Sequence, residues 1–162
     1  MKILLAFMMI FAFETSAKVK VVDGDSLIIG KKDIRLIGID APEYDQTCFD
    51  ENGHEYNCGE ESYLFLKILV ENGLNNHESL KCNKKGVDKY KRDLSECFIG
   101  KKNINLEMVK SGYATVYRHD SYQQEEYEAK ITKKGVWQGK FMRPELYRIL
   151  KKHQKESKKL TK

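Results

Sequence analysis

The feature that most restricts the fold is a meander of three short strands, predicted directly after residue 17. Residues 18–22, 26–29 and 34–37 are rich in β-branched and other apolar side chains. Asp23-Gly24-Asp25 and residues 30–32 separate these runs, and both segments have the composition of tight turns. Because three short strands cannot bury a core alone, other parts of the chain must pack over the meander.

The remainder of the chain predicts two more strands and several helices. A lysine-rich loop separates apolar runs at 79–82 and 94–99, which is typical of paired strands. Helices are predicted over 60–72, in a short segment capped by Asn105, from a Ser121–Gln124 capping box to about Lys134, and onward from Pro144. This order predicts an α+β fold: a five-stranded OB-type β-barrel with about three packed helices.

The first 17 residues have the pattern of an export signal. Lys2 precedes an apolar run over 3–13, and Thr15-Ser16-Ala17 supplies small residues for cleavage. The run is too short to span a bilayer. We therefore expect a signal peptide over 1–17, a folded domain over 18–149 and a basic tail over 150–162. The mature protein is expected to be a secreted or periplasmic monomer that keeps no membrane anchor.

Four cysteines in an exported domain predict two disulfides, and sequence arithmetic alone allows three pairings. Cys82 ends one predicted strand and Cys97 lies in the next, so a hairpin would bring them together. Cys48 and Cys58 flank part of a long polar segment that has little apolar content to order it. The predicted pairs are Cys48–Cys58 and Cys82–Cys97. The alternative is a zinc site built from Cys48, His54, Cys58 and Cys82, although its spacings match no common zinc pattern.

Carboxylates and arginines suited to one reaction occur in two clusters. Asp25 ends the first turn, and Asp40-Ala41-Pro42-Glu43 follows the third strand, which carries Arg35. A second arginine, Arg92, comes later. Oxygen ligands favour a hard divalent cation such as calcium or magnesium. Hydrolysis of a phosphodiester needs such a cation, cationic donors to the phosphate oxygens and a base that prepares water.

These residues lie in motifs that resemble those of the staphylococcal nuclease family, in collinear order from about Val19 to Arg148. The matching segments are Val22-Asp23-Gly24-Asp25-Ser26, Arg35-Leu36-Ile37-Gly38-Ile39-Asp40-Ala41-Pro42-Glu43, Asp88-Lys89-Tyr90-Lys91-Arg92, Asn105-Leu106 with Val109, Gly112-Tyr113-Ala114, and Ala129 through Gly135-Val136-Trp137. Such an ordered series is far more specific than any one short motif.

The resemblance implies a calcium-dependent nuclease that acts on DNA and RNA and leaves 3′-phosphate ends. The implied ligands of Ca2+ are Asp25, Asp40 and the main-chain oxygen of Ala41. The implied catalytic residues are Arg35 and Arg92, which would hold the scissile phosphate, and Glu43, which would act as general base or orient the attacking water.

Two positions depart from the family pattern. Ala41 stands where the family often has Thr, and the main-chain contact to calcium would survive this change. Lys91 stands where the family has Gly, so a positive φ there would cost strain beside Arg92. The alternative function is a catalytically weak nuclease-fold module that binds nucleic acid or protein. The complete set of acids and arginines favours the enzyme over this alternative.

Overall fold

The structure is a computed structural model that describes residues 18–160, and the expected signal peptide lies outside these residues. The strands are β1 Val19–Asp23, β2 Ser26–Ile29, β3 Lys32–Leu36, β4 Ile39–Asp40, β5 Cys48–Phe49, β6 Glu55–Tyr56, β7 Leu80–Val87, β8 Asp93–Ile99, β9 Lys102–Asn103 and β10 Thr115–Val116. The helices are α1 Cys58–Asn75, α2 Ile104–Lys110, α3 Gln123–Ile131 and α4 Pro144–Leu160, and a 3-10 turn covers Gly135–Gln138.

The main sheet has the order β1-β2-β3-β8-β7, and β9 adds to β8. β3 pairs with β8 in parallel, while the other neighbours in this sheet are antiparallel. The register places Arg35 opposite both Ser26 on β2 and Leu94 on β8, so this arginine lies near the middle of the sheet. The predicted α+β fold with an OB-type sheet is confirmed, and residues 18–160 contain four helices where about three were expected.

A single large core joins the sheet to α1 and α2. Leu27 and Leu36 from the sheet are buried together with Leu66 of α1 and Met108 of α2. The alternation of a strand predicts which side chains of β3 face inward: Ile34 and Leu36 are buried, whereas Arg35 points to the other side. One face of β3 therefore packs into the core, and the opposite face presents Arg35.

Both predicted disulfides are confirmed. Cys82 and Cys97 lie directly opposite each other on β7 and β8, with Cα atoms 4.0 Å apart. Cys48 and Cys58 join β5 to the first residue of α1 across a Cα–Cα distance of 5.6 Å. The zinc alternative is wrong, since all four cysteines are bonded to one another.

Two predicted helix starts are wrong. Asn103, not Asn105, caps α2: its side-chain oxygen accepts a hydrogen bond from the Leu106 amide. Asn105 is buried inside the helix, where its amide group donates to the carbonyls of Ile37 and Ser95. The expected Ser121 capping box does not form, because α3 begins after Tyr122 and ends at Ile131. The side-chain amide of Asn105, which the sequence pattern assigns to a helix cap, is used instead in tertiary hydrogen bonds.

No helix within residues 18–160 combines the length and the apolar content that a membrane crossing requires. α4 runs as a helix through most of the segment expected to form a basic tail.

Candidate active site

The turn between β1 and β2 presents the first carboxylate. Asp25 is 2% exposed, and one of its oxygens accepts a hydrogen bond of 2.9 Å from the Ala41 amide. Gly24 allows this close packing, since a Cβ there would lie 2.0 Å from the Ser62 hydroxyl oxygen and 2.7 Å from the Ala41 Cβ. The Asp-Gly-Asp turn is therefore fixed against the segment that follows β4.

Arg35 joins the two carboxylates expected to bind the cation. Its Nη1 atom lies 2.5 Å from Asp25 Oδ1, and its Nη2 atom lies 2.7 Å from Asp40 Oδ1. Asp40 is 1% exposed, and its main chain pairs with Thr115 of β10. The structure thus brings together three residues that are separated along the chain and that the sequence assigned to one site.

Burial governs the electrostatics of this cluster. Burial raises the pKa of Asp25 well above its usual range, while the Arg35 guanidinium and the Ala41 amide oppose that rise. For Arg35, burial lowers the pKa, but the carboxylates of Asp25 and Asp40 outweigh burial and raise it overall. The guanidinium therefore stays charged and compensates the two buried acids.

Glu43 lies in a tight turn just beyond this cluster, with its side chain 35% exposed. The Gln46 amide donates to the Glu43 carbonyl over 2.7 Å, and the buried Gln46 side chain donates to the Met142 carbonyl over 2.6 Å. Gly59 lies against the turn so closely that a Cβ would meet the Glu43 carbonyl oxygen at 1.8 Å. The expected general base is thus held by the start of α1 and by the segment before α4.

A third arginine, absent from the site that the sequence predicts, completes the cluster. Arg148 of α4 donates to both carboxylate oxygens of Asp40, over 2.9 and 2.8 Å, and to Glu43 over 2.9 Å. Partial burial lowers the pKa of Arg148, but hydrogen bonds to these carboxylates more than offset burial and raise it. The sequence offers one weak signal for this contact, a lone arginine among the lysines of the C-terminal segment.

A cavity of about 770 Å³ opens beside the cluster. Its lining includes Arg35, Glu43, Arg92, Arg148, Tyr90 and Tyr117. The last of the expected catalytic residues, Arg92, faces this space but donates to Asp88 of its own loop over 2.8 Å. Tyr117 lines the cavity, while Tyr113 stacks on Phe65 and the Tyr122 hydroxyl donates to Glu96.

The loop that carries Arg92 contains the strained position that the sequence suggests. Lys91 has a φ of 68°, in the left-handed region that favours glycine. Lys91→Gly is expected to raise the free energy of unfolding by about 0.5 to 1 kcal/mol, because the relief of backbone strain exceeds the added freedom of the unfolded chain. Urea unfolding measures this change. Lys89→Gly in the same loop, where φ is not positive, is the matched control, and an equal or lower stability of Lys91→Gly than of the parent would contradict the interpretation.

The Cys48–Cys58 disulfide ends one residue before Gly59, which contacts the main chain of Glu43. Replacing both cysteines by Ser is expected to lower the cleavage rate, because the start of α1 no longer holds the Glu43 turn. Each bridge contributes about 3 kcal/mol in the chain-entropy model. The same change at Cys82 and Cys97, on the β7–β8 hairpin, is the control for stability alone. Equal rate losses in the two double variants, measured below both unfolding transitions, would reject a local effect on Glu43.

The donor set fits a hard divalent cation. Asp25 and Asp40 are both buried and turn one oxygen each toward the same guanidinium, so two carboxylates already converge on one positive group. Nowhere in residues 18–160 do three or more acidic, histidine or cysteine side chains form a set that could hold a metal ion. An ion here would therefore depend on two carboxylates, a main-chain oxygen such as that of Ala41, and water, which suits calcium or magnesium and not zinc.

Comparison with known proteins identifies the family. Residues 33–139 match the family model described as staphylococcal nuclease homologue. Relatives include an uncharacterized endonuclease of Haemophilus influenzae, 36% identical over 76% of this chain and 66% of its own length, and the thermonuclease of Staphylococcus hyicus, 30% identical over 76% of both chains. The succinoglycan biosynthesis protein ExoI of Rhizobium meliloti is 33% identical over 72% of this chain. The chain spans 61% of that relative's length. Because the family model covers more than half of the sequence, the chain belongs to the staphylococcal nuclease family.

Proposed function

We propose that this protein is an exported, calcium-dependent endonuclease that hydrolyses phosphodiester bonds of DNA or RNA and leaves 3′-phosphate ends. The observation that carries the proposal is one cluster of charged side chains beside a cavity. Arg35 joins the buried Asp25 and Asp40, Arg148 joins Asp40 to Glu43, and Arg35 and Glu43 line the cavity. Relatives named as endonuclease and thermonuclease support the reaction class. Two disulfides support an oxidising location, secreted or periplasmic.

In this proposal each side chain has one task. Asp25, Asp40 and the Ala41 carbonyl hold the cation, and calcium, when bound, supplies positive charge that neutralises the phosphate under attack. Glu43 accepts the proton of the attacking water from its place at the cavity edge. Arg35 donates to the phosphate oxygens, on which negative charge grows in the transition state. Arg92 exchanges its bond to Asp88 for a second contact with the phosphate.

The products test the reaction. Single-stranded DNA and RNA oligonucleotides labelled at the 5′ end are incubated with the mature protein in calcium, and the fragments are separated before and after treatment with a 3′-phosphatase. We expect fragments whose mobility falls on phosphatase treatment, because the terminal phosphate is removed. Fragments insensitive to the phosphatase would reject the stated cleavage side. A protein–nucleic acid complex without any fragments would favour the binding module instead.

The basic residues beyond Lys151 are proposed to bind long nucleic acid outside the catalytic site. This end of α4 is exposed, and Lys152, Lys155 and Lys159 stand on it. A chain that ends after Lys151 keeps the site contacts of α4 and is expected to cleave short oligonucleotides at no less than the parental rate. Its affinity for long DNA should depend less on salt, the slope falling by about 0.9 for each phosphate that the shorter chain no longer neutralises. An unchanged salt slope would show that these lysines are solvated and do not bind nucleic acid.

A further inference from the structure

Helix α4 is placed where a bound cation would have to compete with it. Resting on the proposed calcium site, we propose that α4 is a latch whose Arg148 competes with the cation for Asp40, so that docking of the helix and binding of calcium weaken each other. Arg148 bonds both oxygens of Asp40, and Arg35 bonds one of them as well. These three donors use three of the about four lone-pair sites of the carboxylate, and a cation at the remaining site would stand beside two positive guanidinium groups. Departure of one guanidinium therefore favours cation binding.

The net charge of the cluster also favours replacement of Arg148 by a divalent cation. In formal charge, Asp25, Asp40 and Glu43 contribute three negative charges, and Arg35 with Arg148 contributes two positive ones. The docked helix therefore leaves one net negative charge for a divalent ion, and a cluster without Arg148 would offer two. Arg35 is held on both sides by buried acids, whereas the Arg148 side chain is 34% exposed. Arg148 is thus the guanidinium that can leave.

Polar contacts, not apolar burial, hold α4 on the site. The docked residues Tyr147, Arg148 and Lys151 share one helix face, and Tyr147 and Lys151 both contact Asp45. The apolar side chains of this part of the helix point elsewhere: Leu146, Ile149 and Leu150 are 56%, 49% and 43% exposed. Only Pro144 of the helix is buried. Ion pairs are screened by salt and displaced by competing charge, so little apolar area opposes release of the helix.

The coupling must be reciprocal. If calcium loosens α4, removal of the contact between α4 and Asp40 must strengthen calcium binding by the same factor. Couplings of this kind span about 5-fold to about 150-fold in affinity. A released α4 is no longer supported by the rest of the domain, and an isolated helix of its length is marginal in water, so its amides should exchange faster with solvent.

Calorimetric titration with calcium at low salt, without substrate, tests the latch on the full mature chain. Arg148→Gln is expected to bind calcium between about 5-fold and about 150-fold more tightly than the parent. Arg148→Lys keeps the charge but not the paired donors, so it should fall between the two. Lys152→Gln changes the same charge on the same helix without contact to Asp40, and it should match the parent. Hydrogen exchange of the α4 amides in the parent should accelerate when calcium is added.

Each other outcome overturns the latch. If Arg148→Gln binds calcium with equal or lower affinity than the parent, and circular dichroism shows that it is folded, Arg148 does not compete with calcium. The proposed calcium site is not contradicted by this result. An equal gain in Lys152→Gln would assign the effect to net charge alone. Unchanged exchange of α4 in saturating calcium shows that the helix stays docked. If neither the parent nor Arg148→Gln binds calcium, the proposed calcium site falls together with the latch.

Discussion

Glu43→Gln is expected to slow cleavage by about 10²- to 10⁴-fold, because it removes the proposed general base and leaves the proposed cation ligands in place. The Gln side chain has nearly the same shape, and the turn around residue 43 is held by main-chain contacts with Gln46 and Gly59 that the change does not touch. Single-turnover rates on a labelled oligonucleotide measure the loss. Calcium titration of the same variant separates catalysis from binding.

Glu55→Gln is the matched control, since Glu55 lies exposed on β6 away from the cavity and loses the same charge. It should cleave at the parental rate. If Glu43→Gln also cleaves at the parental rate, the assignment of Glu43 as base is wrong. A loss that disappears at saturating calcium would instead make Glu43 a contributor to cation binding.

Asp40→Asn is expected to weaken calcium binding by at least about 10-fold, because it removes one of two carboxylates available to a hard cation. The calcium concentration that gives half the maximal rate should rise accordingly, and calorimetry should show the same shift. Asp25→Asn should act in the same direction. Asp40→Asn should also lower the free energy of unfolding without calcium, because Arg35 and Arg148 both lose their ion pair with Asp40.

Asp33→Asn controls for charge, since Asp33 lies exposed on β3, the strand that carries Arg35. Its calcium dependence should equal that of the parent. Unchanged calcium dependence in both Asp25→Asn and Asp40→Asn would move the cation to another part of the protein.

The strands and the disulfides could be predicted from the sequence because their causes are local. β-branched runs between turn residues specified β1, β2 and β3 to within two residues at each end. Cys82 and Cys97 could be paired because the hairpin that joins them is continuous in sequence. The starts of α2 and α3 were harder to predict. At α2, Asn105 is used in buried hydrogen bonds to Ile37 and Ser95, and Asn103 caps the helix in its place.

The outer part of the site could not be predicted, because its contacts join distant parts of the chain. Arg148 lies 108 residues from Asp40, and the Gln46 side chain bonds a carbonyl 96 residues away. In the sequence, Arg148 falls within a basic segment whose composition indicates a solvated surface. Only the path of the chain through α3 and the 3-10 turn brings α4 back over the acidic cluster.

The most direct test is a cleavage assay of the purified, disulfide-bonded mature protein on DNA and RNA, run with calcium, with magnesium and with a chelator. We expect cleavage in calcium, its loss in the chelator, its return when calcium is added in excess, and a lower rate when magnesium replaces calcium. Cleavage that persists in the chelator, or a folded protein that cuts neither polymer in saturating calcium, would contradict a calcium-dependent nuclease built on Asp25, Asp40 and Glu43.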